Sequence, residues 1–404
     1  MSTSILYHGF GIHGYQYVRT LYRAGAVIFS IIPTAFSLRC PACGSKLVKR
    51  RGTKTRMFRT VPIGPKPVFI QVPVQRVECL CCGVIRQAKI QFAEWRRSHT
   101  KAFERYALAL SKHMTILDVA KHLGVSWDTI KEIQKRYLSR KYKRPRLTNI
   151  TRIAIDEISI GKGHRYLTVV LDIKTGAVIF VGDGKGVDSL KPFFKRLRYS
   201  KVKIKAVAID MSPSYIAAVL ENLPESTIVF DRFHVIKLFN DKLSELRRAI
   251  HREAEGPLQK RVLKGTRWLL LKNSYNLNEQ KNEKERLEEA LSLNKPLATA
   301  YYLKEDLRQI WSQVCKSDAE TILADWIRKA QSTGIAMLKR FAKTLAGHAF
   351  GILNYYDYPI STGPLEGTNN KIKTLQRQAY GYRDMDFFKL KIFALHEAKY
   401  ALVG

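Results

Sequence analysis

The sequence predicts a multidomain protein in which an α+β region precedes an α/β core and a long helical stretch. Three observations predict this class. Two Cys-x-x-Cys pairs enclose short alternating strands within residues 37–92, a helical period occupies residues 100–140, and successive strands open an α/β pattern at residue 150. With 404 residues, of which 46% are hydrophobic, the chain is long enough for two or three domains with real cores.

The charge of the chain points to a polyanionic partner. Lysine and arginine number 70 against 34 acids, a formal net charge of +36. Residues 1–150 carry 28 of the basic residues and only 6 of the acids, so +22 of this charge lies there. Ribosomal and membrane-surface proteins are also basic, but they usually lack so large an apolar remainder. Double-stranded DNA is therefore the partner that the composition favours.

No segment of the sequence predicts a membrane anchor. The longest apolar stretch, "AGAVIFSIIPTAF" (24–36), is interrupted by Pro33 and is too short to span a bilayer. It is also not followed by the pattern of a cleavable signal. We therefore expect a cytoplasmic, nucleoid-associated protein with no membrane partner, in which the six cysteines are ligands rather than disulfides.

Four cysteines have the spacing of a structural zinc site. Cys40 and Cys43 form one Cys-x-x-Cys turn, and Cys79 and Cys82 form a second turn 35 residues further on. Two such turns supply the four thiolates of a tetrahedral Zn²⁺ site, which leaves no open position for catalysis. The alternative is a set of free cytosolic thiols. Cys81 lies inside the second turn and is not expected to be a ligand.

Residues 115–138 have the pattern of a helix-turn-helix. Apolar positions share one face in "TILDVAKHL", Gly124 breaks the period, and Ser126 can cap a second helix. Such a unit can be purely structural, but the basic surroundings favour DNA binding. The residues expected near a groove are Ser126, Trp127, Thr129 and Lys131. Those expected to contact phosphates without reading sequence are Arg50, Arg51, Arg56, Arg140, Lys141, Lys143 and Arg144.

Two acids lie where an apolar strand makes a charge costly. Asp156 lies within "RIAIDEISI", and Asp210 ends "KIKAVAID". A carboxylate in such a place requires a partner. With Glu366 these acids could hold two divalent ions, Mg²⁺ or Mn²⁺, for phosphoryl transfer. Taken singly, each acid could instead be a helix cap or a surface ion pair. Glu157 should point to the opposite face of its strand.

Glu366 lies in "STGPLEGTNNKIK" (361–373), which reads as the start of a helix. Gly363 can be the N-cap and Pro364 the first turn, so a carboxylate there would favour the helix N-terminus in any case. A catalytic role is compatible with this placement. Three residues follow Glu366 along one helical face and are expected to hold DNA: Asn370, Lys373 and Arg377.

A histidine and an aspartate lie where another strand ends and a helix begins. In "FDRFHVIK", Asp231 and His234 are three residues apart. The pair could form a hydrogen bond near the metal site, or His234 could be a satisfied residue of the helix start.

Several of these segments together resemble a known family. "AIDEISIGKGHRYLTVVLD", "AIDMSPSY", "FDRFHVIKL", "KGTRWLLLKN" and "GPLEGTNNKIKTLQRQAYGYRD" are similar to the ISL-three type of bacterial insertion-sequence transposase. The likeness extends over nearly the whole chain. It implies a DDE transposase with a ribonuclease-H-like catalytic core, whose triad falls on Asp156, Asp210 and Glu366. The family's Asp-x-x-His signature falls on Asp231 and His234, which gives His234 a catalytic role.

The resemblance and the patterns together predict the organisation of the chain. The predicted function is a transposase that binds the terminal inverted repeats of a mobile element and cuts and joins DNA, as a homodimer or larger assembly when the ends are paired. The alternatives are a DNA-binding regulator without catalysis and a nuclease or resolvase of the same fold. The predicted segments are an N-terminal arm (1–36), a zinc ribbon (37–95), a helix-turn-helix (100–140), a basic linker (141–149), the first part of the core (150–239), a helical insertion (240–355) and the C-terminal part of the core (356–404).

Overall fold

The computed structural model describes residues 4–34, 38–161, 163, 165–254, 256, 262–264, 266–360 and 363–395. The chain forms two compact units. The first comprises the described residues of Met1–Lys143 and Thr374–Leu390, and the second those of Arg144–Lys373 and Lys391–Glu397. The finer division expected from the sequence stays a prediction, and its last residues, 396–404, lie outside the described part.

The first unit is built on a five-stranded sheet in the order β1-β2-β4-β3, with β5 paired to β4. Apolar and polar residues alternate along β4, so that Val68, Ile70 and Val72 are buried with Phe58 of β3. The alternating strands predicted within residues 37–92 are present, but they are long rather than short, with 16 residues in β3 and 14 in β4. The bounds are β1 Tyr15–Arg23, β2 Ala26–Pro33, β3 Val48–Ile63, β4 Lys66–Cys79 and β5 Ile85–Gln87.

The apolar segment at 24–36 contributes strand β2 to this sheet. Ala24 and Gly25 have positive φ values of 46° and 74° and turn β1 back into β2. Strand β2 then runs antiparallel to β1 and parallel to β4. No helix in the described part of the chain is long and apolar enough to cross a membrane.

Helices follow the sheet in the first unit, and three of them form the predicted helix-turn-helix unit. Thr115 and Ser126 cap the second and third of these three through their side-chain oxygens. Gly124 lies between them with φ +62°, a left-handed conformation that glycine adopts without strain. The helix-turn-helix is confirmed. The helices of this part of the chain are α1 Ile5–His8, α2 Lys101–Leu110, α3 Ile116–Leu123 and α4 Trp127–Tyr142.

The second unit contains a mixed five-stranded sheet in the order β10-β9-β6-β7-β8. Strands β6, β7 and β8 are antiparallel neighbours, whereas β9 and β10 run parallel to β6. Together with the helices beside it, this is the ribonuclease-H-like core that the resemblance implies. The bounds are β6 Arg152–Gly161, β7 Arg165–Asp172, β8 Val178–Asp183, α5 Val187–Ser200, β9 Ala206–Ile209, α6 Pro213–Asn222 and β10 Thr227–Phe230.

The chain beyond β10 is almost entirely helical, as predicted for residues 240–355. Trp326, Phe239 and Phe341 pack edge to face in its core. Gly351 lies against the sheet, where an added Cβ would come within 2.4 Å of the Phe230 ring, so no larger residue fits without a shift. The helices are α7 Arg232–Glu253, α8 Arg267–Leu271, α9 Glu283–Ser292, α10 Lys295–Gln309, α11 Lys316–Ser332, α12 Ala336–Leu353, α13 Gly363–Gln378 and α14 Met385–Ala394.

Candidate functional site

The carboxyl ends of the parallel strands place three acids along one edge of the second sheet. Strand β6 pairs with β9 so that Ala154 lies beside Ala208, and Asp156 and Asp210 each follow two residues later. Adjacent strands lie about 4.8 Å apart, so the two carboxylates emerge on the same face of neighbouring strands. Asp231 follows β10 directly, and its backbone N–H donates to Ile209 O at 3.1 Å. Sites in open α/β sheets form at such an edge.

Asp156 is held by contacts from three directions. The backbone N–H of Glu157 donates to its Oδ1 at 2.8 Å, and Asn369 Nδ2 donates to its Oδ2 at 2.6 Å. His234 Nε2 lies 3.8 Å from Oδ1. Burial raises the pKa of Asp156, although the charge of His234 and these hydrogen bonds oppose the shift. The carboxylate is therefore oriented but incompletely neutralised.

Asp210 adds negative charge beside Asp156. Its Oδ1 accepts a hydrogen bond from the backbone N–H of Ser212 at 3.0 Å, which fixes the carboxylate just ahead of α6. Its charge acts on both Asp156 and His234, where it favours the protonated forms. The two aspartates and the histidine thus form one electrostatic cluster.

His234 is oriented by Asp231, the N-cap of α7. Asp231 Oδ1 accepts from the backbone N–H of Phe233 at 2.9 Å, and its Oδ2 lies 2.8 Å from His234 Nδ1. Burial opposes protonation of His234, but the hydrogen bond to Asp231 and the charge of Asp156 outweigh it and raise its pKa. The imidazole therefore lies between the carboxylates of Asp156 and Asp231. His234 belongs both to the start of α7 and to the candidate site, so the two interpretations of this pair are compatible.

Glu366 lies in the first turn of α13, as the sequence predicts. Its side chain is exposed, and no contact recorded for the described residues joins it to Asp156 or Asp210. Within the described part of the chain, three or more potential ligand atoms come within 4.8 Å of one another only at the cysteines. Among the described residues, the structure thus brings Asp156 and Asp210 together without a recorded contact from Glu366, and it is Asn369 of the same helix that reaches Asp156 Oδ2.

Asn369 contacts Asp156, but the sequence favours the neighbouring Asn370 and does not predict this contact. It lies three residues after Glu366, on the same side of α13, and its Nδ2 reaches Asp156. Its other amide atom, Oδ1, is buried without a hydrogen-bond partner. The sequence held one indication of this contact: Asn369 follows Glu366 by three residues, so the two side chains lie on the same face of the helix.

The opposite face of β6 carries a separate polar network. Glu157 Oε1 accepts from Tyr215 OH at 2.6 Å, and Tyr215 OH also lies 3.3 Å from Thr168 Oγ1. Burial, followed by the contact with Glu157, raises the pKa of Tyr215. Glu157 therefore points away from Asp156, as strand alternation predicts. Its hydrogen bond with Tyr215 joins β6 to α6 on the opposite face of the strand.

The four predicted zinc ligands converge in the first unit. Cys40 Sγ lies 3.7 Å from Cys82 Sγ, and Cys43 Sγ lies 3.5 Å from Cys79 Sγ. All four sulfurs lie within 4.8 Å of one another. A tetrahedral Zn²⁺ with bonds of about 2.3 Å has S···S edges of about 3.8 Å, so the donor set fits this ion. Cys81 Sγ lies instead 3.2 Å from Ser45 Oγ.

The backbone around the cysteines favours thiolates. An amide hydrogen bond from Cys82 lowers the pKa of Cys79 to about 6, and one from Cys43 lowers the pKa of Cys40. A backbone hydrogen bond from Ser45 lowers the pKa of Cys43, but side-chain hydrogen bonds to Cys79 and the other cysteines, together with burial, outweigh it and raise that pKa. A cation among the four sulfurs would remove this conflict.

On the second helix of the helix-turn-helix, some of the predicted DNA-contacting residues are exposed, and others form contacts within the protein. Trp127 is exposed. Ser126 and Thr129 hydrogen bond to each other at the cap, with 2.9 Å between their side-chain oxygens. Lys131 Nζ lies 3.2 Å from Asp384 Oδ2, and Lys135 Nζ lies 2.9 Å from the same oxygen. Lys131 can therefore reach DNA only when its pair with Asp384 opens.

The predicted phosphate contacts are largely on the surface. Arg51 pairs with Glu78 at 2.5 Å, Arg140 lies 3.8 Å from Glu94, and Arg56 donates to Arg97 O at 2.8 Å while partly buried. The remaining predicted phosphate contacts are exposed: Arg50, Lys141, Lys143 and Arg144. The three predicted residues of α13 are exposed as well: Asn370, Lys373 and Arg377.

Three family models match the chain in the order of the structural parts. The model described as transposase matches residues 153–392. The helix-turn-helix domain of transposase family ISL3 matches residues 88–138, and the zinc-finger of transposase IS204/IS1001/IS1096/IS1165 matches residues 37–82. These spans contain the second sheet, the helix-turn-helix and the cysteine cluster.

Full-length relatives match over most of both chains. The transposase for insertion sequence element IS1001 of Bordetella parapertussis is 34% identical over 368 residues, covering 90% of this chain and 89% of that protein. The transposase for insertion sequence element IS1557 of Mycobacterium tuberculosis is 30% identical over 383 residues, covering 88% and 85%.

Among solved structures, the Drosophila P element transposase strand transfer complex matches 74% of this chain and 89% of that one, with 11% identity and a TM-score of 0.36. This likeness is too distant to establish fold or function. The family models and relatives decide between the functions that the sequence left open, in favour of a DNA transposase over a regulator or a simple nuclease. The chain belongs to the ISL3 family of insertion-sequence transposases, DNA-binding enzymes with a zinc ribbon, a helix-turn-helix and a DDE catalytic core.

Proposed function

We propose that Asp156, Asp210 and Glu366 are the acidic triad of this transposase and hold two divalent ions, Mg²⁺ or Mn²⁺, against the scissile phosphate. The observation that carries the proposal is the parallel register of β6 and β9, which sets Asp156, in the middle of β6, beside Asp210, which follows β9 directly. Glu366, in the first turn of α13, would be the third carboxylate ligand.

The donor set suits these ions. Carboxylate oxygens are hard ligands, and Mg²⁺ uses one or two of them together with water and phosphate oxygens. When bound, two such ions polarise the attacking oxygen and stabilise the leaving one. Water or a 3′-hydroxyl forms a bond to phosphorus as the existing phosphorus–oxygen bond breaks, with no covalent protein–DNA intermediate.

The other residues of the site position these groups. Asn369 and the Glu157 amide orient the Asp156 carboxylate, so that it need not reorganise when the substrate arrives. His234, held by Asp231, lies beside Asp156, and its raised pKa favours the imidazolium form that would place a positive charge there.

DNA recognition is assigned to the first unit. The helix-turn-helix, through Trp127 and its neighbours, binds the terminal inverted repeats, and Zn²⁺ on Cys40, Cys43, Cys79 and Cys82 stabilises the ribbon. The surface cations hold phosphates without reading bases. Because two element ends must be cut and joined together, at least two copies of the chain assemble on paired ends.

The test uses the full chain and a duplex carrying the inverted repeat that flanks its gene. Asp156→Asn, Asp210→Asn and Glu366→Gln should each lower Mg²⁺-dependent cleavage by at least about 10³-fold, because groups that act as a unit fail together. End binding, measured by mobility shift, should be unchanged. Asp188→Asn removes an exposed acid of the same unit and should cleave normally.

Three outcomes would contradict the proposal. Cleavage by the Asp156→Asn protein at the level of the Asp188→Asn control would exclude Asp156 from the triad. Binding of the ends without any nicking in Mg²⁺ or Mn²⁺ would indicate a regulator. Release of cut ends that are never joined to target DNA would indicate a nuclease.

A further inference from the structure

The helical insertion contains an open, strongly basic groove that the proposed function does not use. It has a volume of about 620 Å³ and lies between the C-terminal half of α7 and helix α8. We call it the insertion groove. It is defined by Arg247, Arg248, Arg252, Lys264, Arg267 and Trp268.

Within the described part of the chain, no acid forms an ion pair within 4.0 Å of a cation of the insertion groove, although the hydrogen bond from Lys242 and, after it, the charge of Arg248 lower the pKa of Glu245. Their recorded contacts go to backbone carbonyls: Arg247 Nη1 donates to Leu263 O at 2.8 Å, and Arg248 Nε donates to Ser244 O at 3.2 Å. Arg252 Nε donates to Arg248 O at 3.3 Å. These bonds orient the side chains, and of the three arginines only Arg248 is recorded as interacting with a described acid, Glu245.

Other cations of the insertion behave differently. Lys272 pairs with Glu283 at 2.6 Å, and Lys329 pairs with Asp325 at 2.8 Å. The insertion therefore has acids available to its lysines, yet none of the described ones faces the groove cations at ion-pair distance. The groove is a local concentration of charge.

Arg247 lies at the base of this concentration. Its Nε is buried without a hydrogen-bond partner. Burial, and then repulsion from Arg267 and Arg248, lowers the pKa of Arg247. Crowded like charges are unfavourable in the free protein, and an anion in the groove would offset the repulsion among Arg247, Arg248 and Arg267.

The wall formed by α8 is rigid. The fully buried Lys304 donates through Nζ to Leu270 O and Lys272 O, both at 2.8 Å, and so satisfies the C-terminal carbonyls of α8. On the outer side of the helix the guanidinium of Arg267 lies 4.8 Å from the centre of the Trp268 ring. The cation of this wall, Arg267, therefore stacks on a neighbouring ring of a helix whose C-terminal carbonyls are satisfied.

We propose that the insertion groove binds the sugar–phosphate backbone of double-stranded DNA, at a surface additional to the helix-turn-helix. Four of its cations, Arg248, Arg252, Lys264 and Arg267, are exposed and can each face a phosphate. Arginine is suited to this role because its planar guanidinium donates two parallel bonds to a phosphate. DNA is the polyanion that this family handles, and the inference does not depend on which acids form the triad.

The experiment compares two triple variants of the full chain. The groove variant is Arg248→Gln, Arg252→Gln, Arg267→Gln, and the control is Lys284→Gln, Arg286→Gln, Lys295→Gln, which removes the same charge from exposed positions elsewhere in the insertion. The probe is a fluorescein-labelled 40-base-pair duplex of random sequence, followed by anisotropy between 50 and 300 mM KCl. The slope of log K against log salt should become shallower by about 2–3 in the groove variant, since each phosphate contact contributes about 0.9. The control should change the slope by less than about 1.

Equal slopes for the groove variant and the control would overturn the proposal. So would loss of binding to phosphatidylglycerol vesicles with an unchanged DNA slope, because the groove would then be a lipid-headgroup site. If the triple variant melts at a lower temperature than the control, Arg267→Gln alone is used, with an expected slope change of about 1. The Asp156→Asn protein should keep the full slope, which separates failure of this proposal from failure of the triad.

Discussion

The cysteine cluster and the acidic strand edge are both candidate metal sites, but they are assembled in different ways. At the cysteines all four ligand atoms already lie within 4.8 Å of one another. At the strand edge two carboxylates are aligned by register, while Glu366 makes no recorded contact with either. The cysteine ligands therefore converge on one point, whereas the three acids do not.

The difference follows from the distance in sequence that each site must close. One hairpin joins the two cysteine turns: Val48 of β3 pairs with Cys79 of β4, and Leu80 N donates to Leu47 O at 2.9 Å. The acids come instead from β6, the end of β9 and the start of α13. A structural site gains from being fixed by local turns, whereas a catalytic site has to admit substrate phosphate among its ligands.

The largest expected effect tests the completeness of the cysteine cluster. Cys79→Ser should reduce bound zinc from about one ion per chain to nearly none, because the tetrahedral site loses a thiolate. Zinc content is measured by mass spectrometry on the purified chain. Cys81→Ser, two residues away, should retain the metal; equal loss in both variants would mean that Cys81 is also a ligand.

A smaller effect tests whether Asn369 prepares the acidic edge. Asn369→Ala should lower cleavage by about 10–100-fold and raise the Mg²⁺ concentration needed for half-maximal rate, as removal of groups that orient metal ligands generally does. The Mg²⁺ titration is the diagnostic measurement. Asn370→Ala, at the next position, should change DNA affinity without moving the Mg²⁺ midpoint, and an identical midpoint in both variants would count against the positioning role.

The smallest effect concerns Asp384, which links distant segments within the first unit. Burial alone would raise the pKa of Asp384, but hydrogen bonds from Lys135, the Phe387 amide and Lys131 lower it to about 2. Asp384→Asn should reduce the free energy of unfolding by about 1 kcal/mol at pH 7, less than the shift implies because the carboxylate remains in contact with solvent. Urea titration measures this difference.

The pH dependence of the Asp384 effect has a defined sign. Since the folded pKa lies below the unfolded value, the stabilisation is present above about pH 4 and disappears as the pH falls towards 2. The difference between the unmodified chain and Asp384→Asn should therefore be constant from pH 5 to 7 and shrink below about pH 4. A difference that grew on acidification would contradict this assignment.

The features that the sequence predicted well are those encoded over short distances. Turn chemistry and apolar periodicity act between near neighbours and can therefore be recognised in the sequence. They predicted the cap at Ser126, the strands of the second sheet and the cluster formed by Cys40, Cys43, Cys79 and Cys82. The ribonuclease-H-like core came from the resemblance, and the sheet order confirms it.

The features that escaped prediction depend on contacts between distant residues. Asn369 reaches Asp156 across 213 positions, and Lys135 reaches Asp384 across 249. Periodicity places Asn369 and Asn370 on adjoining faces of α13 but does not say which face meets the sheet. In the same way, no residue near Lys131 in the sequence indicates that Asp384, far along the chain, will form an ion pair with it.

The position of Glu366 also has a consequence for the timing of synthesis. The ribosome produces the cysteine cluster, the helix-turn-helix, Asp156 and Asp210 first, and then 155 more residues before Glu366. At roughly 5–20 residues per second, this interval lasts about 8–30 s. During that time the emerging chain already holds the helices proposed to recognise DNA, while the third acid of the proposed triad has not yet been made.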